Sequence, residues 1–211
     1  MGSGKSSVGR ELPALLSLPG GHFDFIDLDD FIVESEGMSV NGIFERYGES
    51  GFRSIETRCL ETLLERYEGK NLVLALGGGT AVFNSELVHS RTRCIYLSAS
   101  VDTLVGRLAS DTTRPLLSEA ASRTAQAYVS SSTPGMSSPP QDKDDSLHGH
   151  TGLCEKSSTC VVQKRPENLL RDRIERLYAS REATYRSVAH YTVATDGLSV
   201  ATIAALIAGL F

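Results

Sequence analysis

Apolar residues recur along this chain in two rhythms, short unbroken runs and runs spaced three or four apart, and their alternation predicts an α/β domain. Val8, Leu12, Leu15 and Leu16 lie at helical spacing, with Pro13 among them as a residue that kinks or ends a helix. His22 to Asp27 (HFDFID) reads as a strand ending in Asp27-Leu28-Asp29, followed by a helix from Phe31 to Glu36. Met38 to Tyr47 places Val40, Ile43, Phe44 and Tyr47 on one side. Gly51 to Tyr67 continues as a helix with Phe52, Ile55, Cys59, Leu60, Leu63 and Leu64 inward. Asn71 to Leu76 (NLVLAL) is apolar throughout, as a strand covered on both faces is, and it stops at Gly77-Gly78-Gly79. Cys94 to Leu97 (CIYL) is a further strand and Val101 to Leu108 a helix after it.

Beyond Leu117 the rhythm is lost. Ser118 to about Lys164 is rich in Ser, Thr, Pro and Gly without a sustained apolar period, and reads as a mobile insertion within a single domain spanning residues 1–211. Order resumes at Pro166 to Ala189, where Leu169, Leu170, Ile174, Leu177 and Tyr178 recur at helical spacing behind a proline suited to a helix start. Tyr191 to Ala194 (YTVA) is a last strand, and Ser199 caps a terminal helix.

Composition narrows the chemistry. With 211 residues, 40% apolar and 22% charged, the chain fits one globular domain. Its net charge of -5 argues against a broad basic face for nucleic acid, so anionic ligands have to be met at a local site. No run approaches the roughly 20 apolar residues that a bilayer requires. Cys59, Cys94, Cys154 and Cys160 follow no disulfide framework, and His148, His150, Cys154 and Cys160 match no zinc spacing.

The local site is announced at once. Gly2-Ser3-Gly4-Lys5-Ser6-Ser7 forms most of a P-loop, whose small residues let backbone N–H groups wrap a phosphate; Lys5 reaches the terminal phosphates and the Ser6 hydroxyl is placed for magnesium. The full pattern puts another glycine five residues before Gly4 and a buried strand ahead of it. Both would precede Met1, so the expectation is a sheet without its first strand.

Ligands of open parallel sheets bind beyond the carboxyl ends of the strands, where Asp27, Asp29 and the three glycines all fall. One carboxylate suits the magnesium shell and the other a substrate hydroxyl. Arg53 and Glu56 share a helix face at i,i+3, and with the amides near Gly77-Gly78-Gly79 they make a receptor for a carboxylate. Arg114, in Arg114-Pro115-Leu116-Leu117, sits where a lid would hinge over the phosphates. Arg107 can lie flat on an adenine ring.

Taken together, Gly2-Ser3-Gly4-Lys5-Ser6, Asp27-Leu28-Asp29, Gly51-Phe52-Arg53 with Glu56, Gly77-Gly78-Gly79, Arg114-Pro115-Leu116-Leu117, and Arg181 with Tyr185 and Ala189 resemble shikimate kinase. The resemblance implies a three-layer α/β/α P-loop kinase with a central parallel sheet. It implies transfer of the γ-phosphate of MgATP to the 3-hydroxyl of shikimate, a step towards chorismate and the aromatic amino acids. By similarity, Arg53, Arg181 and the amides of Gly78 and Gly79 bind the shikimate carboxylate, and Asp29 serves the attacking hydroxyl. Asp27 and Ser6 attend Mg²⁺, while Lys5 and Arg114 stabilise the moving phosphoryl group. The departures are Leu76 in place of a hydroxyl residue, Glu182-Ala183-Thr184-Tyr185 after Arg181, the long lid region and the absent first strand. Alternatives are a kinase of another carboxylated polyol such as gluconate, and a non-catalytic binding or regulatory protein of the same fold. The expected setting is a cytoplasmic monomer with ATP and shikimate as its partners and neither nucleic acid nor membrane, or the plastid stroma if a transit segment precedes Met1.

Overall fold

The computed structural model describes residues 2–16, 21–108 and 166–211. The region of the expected insertion, Ser118 to Lys164, and Arg114 lie outside the described residues. Helix α1 (Lys5–Leu16) begins directly after the glycine-rich loop and carries Pro13 inside it, so the proline does not end the helix as its type suggests. Strand β1 (Asp24–Asp27) runs parallel to β2 (Leu72–Ala75), in a register that sets Asp24 opposite Leu72 and Asp27 opposite Ala75. Strand β3 (Ile95–Ser98) runs parallel to β4 (Tyr191–Ala194), with Ile95 opposite Tyr191 and Ser98 opposite Ala194. Both pairings are parallel because each return connection passes through helices, which bring the chain back to the same end of the sheet.

Helix α2 (Leu28–Glu36) starts three residues before the apolar rhythm suggests. The cause is Asp27, whose extended backbone and carboxylate, accepting the Asp29 N–H, cap the helix at the last residue of the strand. Gly37, at φ 61°, closes it. Helix α3 (Val40–Arg66), capped by Ser39, is broken at Gly48, where φ 68° and ψ -175° reorient the chain before Arg53. Two short helices, α4 (Thr80–Phe83) and α5 (Ser85–Arg91), follow the triple glycine and are absent from the sequence expectation. Four and seven residues hold too few apolar positions to reveal a helical period. Helices α6 (Val101–Leu108), α7 (Pro166–Val188) and α8 (Val200–Ala208, capped by Ser199) match the expected segments.

The core has three parts. Leu28, Ile32, Ile43, Leu60, Leu63 and Val88, all fully buried, join α2, α3 and α5 beside β1 and β2. Val8, Leu12, Ile203 and Ile207 lock α1 to α8, with Val73 of β2 and Ile95 and Leu97 of β3 against them. Leu104, Leu108 and Ile174 hold α6 against α7. Each such side chain contributes about 1.5–3 kcal/mol through removal from water. Instead of one continuous sheet, the described strands form two parallel pairs, because no described strand bridges β2 and β3.

Candidate active site

The phosphate loop is shaped by glycine. Gly2 and Gly4 have φ of 66° and 88°, in the left-handed region that side chains disfavour, and a Cβ on Gly2 would stand 3.0 Å from Leu108 Cγ. The Gly4 carbonyl accepts the Val8 N–H at 2.9 Å as the first turn of α1, so the loop amides lead straight into a helix N-terminus whose dipole favours phosphate. Ser6 Oγ donates to Asp27 Oδ2 at 2.5 Å, while Asp27 Oδ1 accepts the Asp29 N–H at 3.0 Å. One carboxylate thus ties the phosphate loop to the end of β1 and the start of α2. Ser3 and Lys5 line the same cavity as Gly77 and Gly78.

Arg107 is held by hydrogen bonds donated in the plane of its guanidinium, which leave the faces of that plane uncovered by them. Its Nη1 donates to the Gly2 carbonyl and to Thr195 Oγ1, both at 3.3 Å, and its Nη2 to the Thr195 carbonyl at 3.0 Å. Through it the first residue of the loop is fixed to the end of β4. Next to this contact Asp196 accepts from Thr103 Oγ1 at 2.5 Å, Ser100 Oγ at 2.7 Å and the Ser100 N–H at 3.0 Å. The Thr103 hydroxyl first, then Ser100, stabilise the charged form and hold the carboxyl down at about 2. Sequence reasoning missed Thr195 and Asp196, since a polar pair after a strand looks like any turn.

The second half of the site is built around Arg53. Its Nη1 donates to Glu56 Oε2 at 2.8 Å and its Nη2 to Glu49 Oε1 at 3.3 Å. The guanidinium is also stacked 4.4 Å from the ring centre of Phe83 and 5.2 Å from that of Phe52. Glu56, 1% exposed, uses its other oxygen to accept the Thr80 hydroxyl at 2.7 Å. The i,i+3 pairing expected from the sequence is therefore present; the contributions of Thr80 and Phe83 are not visible in it.

The glycines earn their place by closeness. A Cβ on Gly79 would stand 2.6 Å from the Arg53 guanidinium nitrogens, and one on Gly77 would stand 3.0 Å from both Asp29 Oδ1 and Thr80 Oγ1. From the far side, Arg181 Nη1 donates to the Gly78 carbonyl at 3.3 Å and the Tyr185 hydroxyl donates to the same oxygen. Asp29, Arg53, Gly77, Gly78, Gly79 and Arg181 thus converge as one cluster, adjacent through Asp27 to Lys5 and Ser6. Within it Arg53 Nε is buried and without a hydrogen-bond partner, a donor left over for an anionic guest.

Comparison with known proteins gives the family. The family model described as shikimate kinase matches residues 1–134. The shikimate kinase of Francisella tularensis subsp. holarctica is 32% identical over 206 residues, covering 96% of this chain and 85% of that protein. The shikimate kinase of Francisella philomiragia subsp. philomiragia is similar to the same extent. Among solved structures, shikimate kinase from Acinetobacter baumannii in complex with shikimate superposes with a TM-score of 0.66 at 31% identity, covering 100% of this chain and 87% of that one. The enzyme from Bacteroides thetaiotaomicron shares the fold, with a TM-score of 0.68 at 23% identity over 100% of this chain and 93% of the other. With a family model over more than half its length and relatives of this identity over nearly all of it, the chain belongs to the shikimate kinase family.

Proposed function

We propose that this chain transfers the γ-phosphate of ATP to the 3-hydroxyl of shikimate, giving shikimate 3-phosphate and ADP. The observation that carries this reading is Arg53, partly exposed but held by Glu56 and two aromatic rings, with its Nε buried and unpartnered, beside Asp29 and the glycine loop. Such a group is a fixed carboxylate receptor next to a carboxylate that can act on a hydroxyl.

Each residue's work follows from its position. The loop amides from Gly2 to Ser7 cradle the nucleotide phosphates, and Lys5 stabilises charge on the group in transfer. Ser6 Oγ and Asp27 Oδ2, 2.5 Å apart, are the hard oxygen donors that Mg²⁺ favours, so the residues present fit the ion and would hold it, directly or through water. When bound, it neutralises charge on the phosphate oxygens. Arg53, Arg181 and the Gly78 and Gly79 amides bind and orient the acceptor through its carboxylate, which sets the 3-hydroxyl against Asp29. Asp29 then aligns that hydroxyl and takes its proton as the oxygen–phosphorus bond forms. Arg114, by family likeness, covers the phosphates, and Arg107 holds the adenine side of the loop in place. The setting in this reading is a cytoplasmic monomer; the net charge of -5 supports anion binding confined to this one site.

The test is shikimate-dependent ADP formation with MgATP, run beside gluconate. Turnover is expected with shikimate and not with gluconate, and Lys5→Ala lowers kcat by on the order of 10²–10³. Equal turnover in that variant, or a preference for gluconate, would overturn the reading.

A further inference from the structure

Burial does not account for Phe83. Its side chain is 55% exposed and belongs to none of the three core clusters, yet the Arg53 guanidinium lies over its ring, 4.4 Å from the centre. The ring is firmly mounted all the same. Phe83 ends α4, whose four residues make too few internal hydrogen bonds to stand alone. Two neighbours on α3 grip that short helix at both ends: Thr80 Oγ1 donates to Glu56 Oε1 at 2.7 Å, and Thr57 Oγ1 donates to Asn84 Oδ1 at 2.8 Å. Thr80 is fully buried and Asn84 nearly so, and water therefore competes little for either bond. The Phe83 N–H closes the turn on the Gly79 carbonyl at 3.1 Å, which sets residues 79 and 83 on one face. Arg53 meets that face where Gly79, without a side chain, leaves room for its terminal nitrogens. Beside the gap stands the Phe83 ring.

Hydrogen bonds leave this guanidinium one freedom. Glu56 takes Nη1 and Glu49 takes Nη2, two points of a rigid plane that can still tilt about the line joining them. Nε lies off that line, so a tilt swings the buried N–H that has no partner. A ring stacked on the face of the guanidinium opposes the tilt, and for an arginine side chain only 12% exposed the attraction is little weakened by water. Phe52 adds a second, more distant ring at 5.2 Å. We infer that Phe83 is a positioning residue for the acceptor: its ring fixes the tilt of Arg53 and so aims the Nε–H at the acceptor's carboxylate. This rests on the proposed reaction for the identity of that acceptor. A guanidinium ordered in advance spares the ligand the cost of ordering it, a difference of about three- to tenfold in affinity.

The experiment compares Phe83→Ala, Phe83→Leu and Phe83→Tyr with the parent chain, at a half-exposed position where the fold tolerates each of them. Phe83→Ala is expected to raise Kd and KM for shikimate about three- to tenfold, while kcat and KM for ATP move by less than about twofold. Phe83→Tyr, which keeps the ring, should retain the parent's values, and Phe83→Leu, apolar but without a π face, should resemble Phe83→Ala. A readout without ligand runs beside these. The Arg53 Nε–H resonance, identified by its loss in Arg53→Lys, should exchange with solvent at least about threefold faster in Phe83→Ala and at the parent's rate in Phe83→Tyr. Unchanged shikimate affinity in Phe83→Ala, restoration in Phe83→Leu as complete as in Phe83→Tyr, or an equal rise in both KM values would each overturn the inference. A parent chain that does not turn over shikimate overturns the proposed reaction instead. Phe83 is then decided by the exchange rate, where equality of Phe83→Ala with the parent refutes its role.

Discussion

Glu56 divides its two oxygens between a cation it buries and a hydroxyl it orders: Arg53 on one, Thr80 on the other. A buried carboxyl group is tolerable only when such partners offset its desolvation, which makes the pair a rigid mount for the guanidinium. Arg53→Ala is expected to weaken shikimate binding by about 10–150-fold, the loss of a charge-assisted contact, while ATP affinity changes little; calorimetry with each ligand checks the split. The same variant strands Glu56, and its unfolding free energy should fall by about 3–5 kcal/mol in urea titration. Asp196 gives a pH signature instead. Its folded carboxyl sits at about 2, below its ordinary 3.8, so it stays charged where the unfolded chain has taken up a proton. The stabilisation is complete above about pH 4 and disappears as pH falls towards 2. Asp196→Asn should reduce the slope of stability across that window and leave the pH dependence of the neutral range unaltered, as read from urea midpoints.

Among the elements, α3 holds the most conditional geometry. Gly48 adopts a conformation that is open to glycine alone, and the half-helix after it carries Arg53 and Glu56. Gly48→Ala is expected to cost about 1–3 kcal/mol, seen as a lower urea midpoint at unchanged slope, and to raise KM for shikimate more than for ATP. This kink marks a boundary of what the sequence discloses. The runs around Leu72–Ala75, Ile95–Ser98 and Val101–Leu108 were legible because burial imposes a period on them. Gly48 interrupts no period, since Ile43 and Phe52 bury on either side of it regardless. Likewise the early start of α2 depends on one side-chain cap, and α4 and α5 on tertiary support. At the site, Arg53 with Glu56 was legible because three residues suffice to bring them together. Thr80 meets Glu56 from 24 positions away and Arg107 meets Gly2 from 105, and only folding draws such pairs together.

At the scale of the molecule, the proposed acceptor site is assembled from distant stretches of chain: α2 supplies Asp29, α3 supplies Arg53, the loop after β2 supplies the glycines, and α7 supplies Arg181 and Tyr185. Occupancy therefore binds these pieces to one another. Shikimate at a hundred times its Kd should stabilise the fold by about 2.7 kcal/mol, a rise of about 5–10 °C in melting temperature, and Tyr185→Phe should reduce that rise at equal ligand concentration. The reason lies in the peptide unit between Gly78 and Gly79. A trans peptide is a rigid plate with its oxygen and its hydrogen on opposite edges. Arg181 and Tyr185 grip the oxygen from 103 and 107 positions along the chain, and in doing so they aim the Gly79 hydrogen the other way, steering a donor that neither of them touches.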